Sequence, residues 1–213
     1  MVKRTNIFIA VTAAVISASS LIVRTAEILD RRVVIIVPVV TDDRLSPTRE
    51  ALTFWNQTLR ELGLKTKLVE RALVVASDDT RAYENYAQQL WRQAGRLSSE
   101  QPGPKAPREL LDIDGEIVVF LSKQRLMSFA WPVGKTQKYF VAIGTRPSDQ
   151  QENPANIHNV IAHELGHALG LTHSRNPMAL MCSPCRSFVI GSYEKRFLPL
   201  KAEDRSRLSE LYR

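Results

Sequence analysis

The stretch His163-Glu164-Leu165-Gly166-His167-Ala168-Leu169-Gly170-Leu171-Thr172-His173 holds three of the chain's four histidines within eleven residues, and it restricts the fold more than any other feature. On a helix, residues four apart lie one above the other, so His163 and His167 present two imidazoles to one point in front of a single face. Glu164, one step along, is turned to reach a water held at that point. Zinc suits neutral imidazole nitrogen, and a catalytic zinc keeps three protein ligands with a fourth position for water. His173 is the candidate third ligand, but six residues past His167 it lies too far round if the helix simply continues. Gly170 resolves this, because a residue without Cβ takes a left-handed conformation that ends the helix and turns the chain back under the metal.

These residues match the H-E-x-x-H-x-x-G-x-x-H signature, followed by a methionine turn, of the metzincin metallopeptidases. Met181 fits the turn methionine. Ser174 after the third histidine and the run Pro177-Met178-Ala179-Leu180-Met181 most resemble the matrixins, the branch that includes the matrix metalloprotease catalytic domains. The resemblance implies an α+β domain over residues 31–213: a twisted mixed β-sheet of about four strands, an active-site helix, a methionine turn and a C-terminal helix. It also implies one catalytic Zn2+ held by His163, His167 and His173, with Met181 as an apolar floor rather than a ligand.

The chain has 213 residues, enough for one ordinary domain and an N-terminal extension. Lys3 and Arg4, the apolar run from Ile7 to Ile16 and the small residues Ser17-Ala18-Ser19-Ser20 read as an export segment over residues 1–25. Cleavage gives a secreted or periplasmic enzyme. Retention gives a membrane-anchored one with its catalytic domain outside the cytoplasm, since Leu21-Ile22-Val23 extend the apolar stretch. The formal charge of +7 is spread among acids with no aromatic-basic ladder, so no nucleic-acid partner is expected. A monomer is the simplest organisation. Two cysteines, Cys182 and Cys185, follow the methionine turn, and in an exported protein they read as a local disulfide.

In chain order, Arg31 to Val40 is a β-branched apolar run that reads as a buried strand ending near Pro38. Ser46 as cap and Pro47 at the first position open an amphipathic helix carrying Ala51, Leu52, Trp55, Leu59 and Leu62, closed by Gly63. Lys65 to Val75 reads as a second strand. Residues 77–112 depart from the matrixin pattern and read as an inserted helix, Arg81 to Leu97, with a Pro/Ser/Gly-containing loop. The structural zinc that matrixins usually carry has no histidines here before His158. Asp112, Asp114 and Glu116 leave calcium possible but unsupported, a solvated turn being the simpler reading.

Glu116 to Leu121 reads as the third strand and Tyr139 to Gly144 as the fourth. By its place before the zinc helix, Tyr139-Phe140-Val141-Ala142-Ile143 resembles the metzincin edge strand on which an extended peptide docks by β-augmentation, with Ser128 to Gly134 as a possible cover. Asn153-Pro154 opens the active-site helix. His158, five positions before His163, points off the metal face and reads as a surface or structural residue rather than a ligand. Arg186, Phe188, Tyr193 and Phe197 are the conspicuous side chains of the loop expected to wall the substrate pocket. Ala202 to Tyr212 closes the chain as a helix.

The resemblance implies a zinc-dependent endopeptidase acting on a polypeptide, with Glu164 as general base toward a metal-activated water. An exported zinc-site binding protein without protease activity, or a processing protease confined to one partner, are the alternatives.

Overall fold

The computed structural model describes residues 30–75, 80–93, 103–145, 154–183, 185 and 197–213. The export segment, and Arg186, Phe188 and Tyr193, lie outside the described residues. In order, the elements are β1 (Arg31–Val37), α1 (Leu45–Glu61), β2 (Leu68–Val75), α2 (Arg81–Gln93), α3 (Arg108–Asp112), β3 (Ile117–Leu121), β4 (Phe129–Pro132), β5 (Tyr139–Ile143), α4 (Pro154–Ala168) and α5 (Ala202–Tyr212). Among the described residues no helix is long and apolar enough to cross a membrane.

The five strands form one mixed sheet in the order β2-β1-β3-β5-β4. β1 runs parallel to both β2 and β3, β3 runs parallel to β5, and only β4 is antiparallel to its neighbour. Strands buried on two faces read as continuous apolar runs, because alternate side chains enter different cores. That is what β1 and β3 do. Val33, Ile35, Val37, Ile117, Val119 and Leu121 face α1, α4 and α5. Val34, Ile36, Val118 and Phe120 face the opposite way, joined by Phe140 and Ala142 of β5. This second layer is closed by α2 and α3 through Tyr86, Ala87, Leu90 and Leu110. The segment that departs from the matrixin pattern therefore covers the back of the sheet, where Tyr86 packs 5.3 Å from Phe140 between ring centroids.

Two expectations need correction. The strand Tyr139–Ile143 is not an edge: it pairs with β3 on one side and β4 on the other. The edge beside α4 is β4, within the segment read as a possible cover, which makes five strands among the described residues. Chain position just before the zinc helix does not report strand order, and a short antiparallel return had inserted itself at the rim. The second correction concerns α1, which starts at Leu45 with Arg44 in the cap position instead of Ser46. The Asp42 carboxylate accepts the Arg44 N–H at 3.0 Å, and Thr48 returns both its N–H and its hydroxyl to the Arg44 carbonyl. These bonds secure the first turn two residues early.

Candidate metal centre

Helix α4 carries His163, Glu164 and His167, and it ends where the sequence places Gly170. Gly170 has φ +91°, its N–H bonds the His167 carbonyl at 2.9 Å, and the Leu171 N–H bonds the Gly166 carbonyl at 3.0 Å. This pair of bonds is the Schellman arrangement, which a left-handed residue at that position permits. The chain then reverses and delivers His173 beside the first two histidines.

The Nε2 atom of His167 lies 3.1 Å from Nε2 of His163 and 3.1 Å from Nε2 of His173. One ligand nitrogen from each of the three falls within 4.8 Å of the others, and among the described residues this is the one such group. Zinc binds imidazole nitrogen at ~2.0–2.1 Å, and two such ligands at a tetrahedral angle stand about 3.3 Å apart. The remaining ring nitrogens decide the tautomers. His163 Nδ1 lies 2.7 Å from the Leu180 carbonyl and His167 Nδ1 lies 2.8 Å from the Leu171 carbonyl. A carbonyl only accepts, so both Nδ1 atoms carry the proton and both Nε2 atoms aim lone pairs at each other. Facing lone pairs at hydrogen-bond distance repel unless a cation stands among them. The donor set therefore fits zinc, with orienting carbonyls of the kind metal-bound histidines use.

Burial reinforces the neutral imidazoles. It lowers the His163 pKa, against the Leu180 carbonyl that raises it, and it pushes His167 down to about 4. Glu164 is only 8% exposed. Desolvation pushes its carboxyl up to about 8, opposed by a hydrogen bond from the backbone N–H of Ala130. Ala130 belongs to β4, so the same contact that meets Glu164 brings the sheet edge alongside α4.

Met181 is fully buried. Its Sδ would lie 2.5 Å from a Cβ built on Gly166, and Cζ2 of Trp55 would lie 3.0 Å from it. Only a glycine between the two helical histidines lets the methionine and the indole come this close. Trp55 also donates its Nε1–H to the Ala162 carbonyl at 2.9 Å, bracing α4 one residue before His163. The cysteines form a disulfide, Cys182–Cys185.

The other candidates serve the fold. His158 is buried, with Nε2 3.0 Å from Glu50 of α1 and its ring edge-on to Phe197. Phe197 in turn stacks on Phe54 at 4.5 Å. The acids weighed for calcium face the chain's own cations: Asp114 and Glu116 pair with Arg32, and Asp112 pairs with Arg108. Beside them Lys138 Nζ takes the carbonyls of Leu110, Leu111 and Ile113 at 2.9, 2.9 and 2.6 Å. Sequence reading missed Ala130 and Gly166. The Phe-Ala-Trp-Pro run of β4 is too short for a clear strand period, but Gly166 inside the helix of the candidate ligands was a visible signal, since interior glycine costs helix stability unless something packs there.

Among solved structures the chain is similar to archaemetzincin from Methanopyrus kandleri, at 13% identity over 85% of this chain and 95% of that one, with a TM-score of 0.42. It is similar to metalloproteinase-II from Bacteroides fragilis, at 13% identity over 88% of this chain and 54% of that one, TM-score 0.46. A zinc-dependent peptidase from Methanocorpusculum labreanum matches at 12% identity over 83% of this chain and 99% of that one, TM-score 0.41. No curated protein sequence matches the chain. The family model described as Matrixin matches residues 47–213, from the first helix through the histidine site to the C-terminal helix, and the chain belongs to the matrixin family of zinc metallopeptidases.

Proposed function

We propose that the protein is a zinc-dependent endopeptidase in which His163, His167 and His173 hold one ion and Glu164 is the catalytic base. The observation that carries this reading is the convergence of three imidazole Nε2 atoms beside a buried carboxyl. Zinc, when bound, supplies a Lewis acid that polarises a carbonyl and acidifies water.

The chain's own residues do the rest. Glu164 takes the proton of the attacking water and passes it to the leaving amine nitrogen, a task that its burial suits by keeping competing solvent away. The Leu180 and Leu171 carbonyls hold the first two histidines in the ligating tautomer. The outer side of β4 is a sheet edge that can take up an extended peptide as an added strand, with the Ala130 N–H already committed to Glu164. Main-chain pairing of that kind orients a peptide irrespective of its side chains, which favours endopeptidase over narrow small-molecule hydrolysis. Pro132 at the end of β4 lacks an N–H and limits the run of pairing. A Cys182–Cys185 disulfide supports export, since such bonds persist in oxidising compartments.

The test is digestion of a mixed peptide library by the purified protein, before and after chelation and with zinc restored. Internal cleavages that vanish with chelator and return with zinc are expected. Release of single terminal residues only, or cleavage indifferent to metal, would overturn the reading.

A further inference from the structure

We propose that the Cys182–Cys185 disulfide is a positioning element of the metal site: it clips the loop that orients two of the three histidines. The proposal rests on the zinc reading above.

The loop from Leu180 to Ser183 touches the histidines twice. The Leu180 carbonyl holds Nδ1 of His163. Ser174, the residue after His173, donates its N–H to the Met181 carbonyl and accepts the Ser183 N–H at 2.9 Å, with Ser174 and Cys182 paired as a parallel bridge. Ser174, next to His173, is therefore held by a two-bond ladder onto Met181 and Ser183, on either side of Cys182. On the N-terminal side the loop is secured by the Cys182 N–H on the Ala179 carbonyl at 3.2 Å and by the Leu180 N–H on the Pro199 carbonyl at 2.9 Å. On the C-terminal side the disulfide closes a ring that starts at Cys182, inside the ladder itself.

The ladder is buried at Met181 and Cys182 but reaches the surface at Ser183, where a single hydrogen bond can open and a covalent ring does not. Opening the ring frees the end of the loop that Ser174 grips, and the slack passes to His173 and to the Leu180 carbonyl. Groups that orient metal ligands from outside the coordination shell typically contribute 10-fold to 100-fold in metal affinity. Cys182 is buried and Cys185 is exposed, so a thiolate reaches the bridge from the Cys185 side. A dithiol reductant passes two electrons to the bridge, leaves two protein thiols and becomes a disulfide itself. The metal site is thus sensitive to the redox state of its surroundings.

The test compares full-length wild type with the Cys182→Ser/Cys185→Ser variant, both zinc-loaded, by competition with a chromophoric chelator and by the absorption of the Co2+-substituted proteins. Circular dichroism reports folding. The variant is expected to keep its helix signal, to lose zinc to the chelator about 10-fold to 100-fold more readily and to show a shifted Co2+ band. Wild type reduced with a phosphine, freed of it by gel filtration and reloaded should behave the same, and reoxidation should restore it. Equal zinc retention by oxidised and reduced wild type overturns the proposal even if the double variant unfolds. A wild type that binds neither ion overturns the zinc assignment itself, and the clip falls with it.

Discussion

Gly166 and Met181 meet across a space that any side chain would fill: a Cβ on Gly166 would stand 2.5 Å from the Met181 sulfur. This contact joins the metal helix to the methionine turn, and Trp55 closes it from the other side at 3.0 Å. Gly166→Ala sets two effects against each other. Alanine gains about 1 kcal/mol of helix preference, while overpacking a filled core costs about 1–3 kcal/mol. Met181 and Trp55 are both fully buried, so neither can swing out into solvent to make room. The expected outcome is a net loss of roughly 1 kcal/mol, read as a lower urea midpoint with unchanged slope. A stabilised variant would show that the turn can retreat.

Arg44 joins the ends of two strands to the start of α1. Its Nη1 donates to the carbonyls of Ser122 and Ile143, both at 2.9 Å, while its Nε and Nη2 grip the buried Asp42 carboxylate. Removing one partner of a buried ion pair leaves the other charge uncompensated, at a cost of about 3–5 kcal/mol. Arg44→Ala should therefore lower stability by about that much in chemical denaturation. The double change Asp42→Leu/Arg44→Met should recover part of the loss, because no charge then remains buried alone.

The metal-free protein should show a pH dependence that originates in Glu164. Burial raises its carboxyl from 4.5 to about 8. The folded state therefore holds a proton that the unfolded state has released, and stability falls as pH rises between those values, by about 1.4 kcal/mol per pH unit. His163 and His167 act oppositely, since their lowered pKa values remove stability as pH drops below 6.5. Between about pH 7 and 8 the unfolded imidazoles are mostly neutral too, and the Glu164 slope is the larger one. Denaturation of chelator-treated protein should show it, and Glu164→Gln should flatten it. An equal slope in both proteins would assign it to another group.

The histidine site was legible in the sequence because its geometry follows from helix spacing and one glycine: His163, His167 and Gly170 lie where periodicity puts them, and φ at Gly170 follows from its missing Cβ. The buried strands were legible for a similar reason, as β3 and the Val33–Val37 part of β1 are unbroken apolar runs. Strand order was not. Tyr139–Ile143 has the composition of any buried strand, and nothing local says that Phe129–Pro132 folds back to cover its outer side. Contacts between distant residues were likewise out of reach. The indole N–H of Trp55 on Ala162, the Leu180 carbonyl on His163 and the Ala130 N–H on Glu164 each join positions that sequence spacing leaves unrelated.

The most direct measurement of the central claim takes zinc content and peptide cleavage together on wild type and Glu164→Ala. Glu164 is a base and not a ligand in this account, so both proteins should hold one zinc per chain, and only wild type should cleave, with the variant's kcat lowered at least 100-fold. Substantial cleavage by a verified pure Glu164→Ala protein, or a wild type that cleaves without zinc, would contradict it.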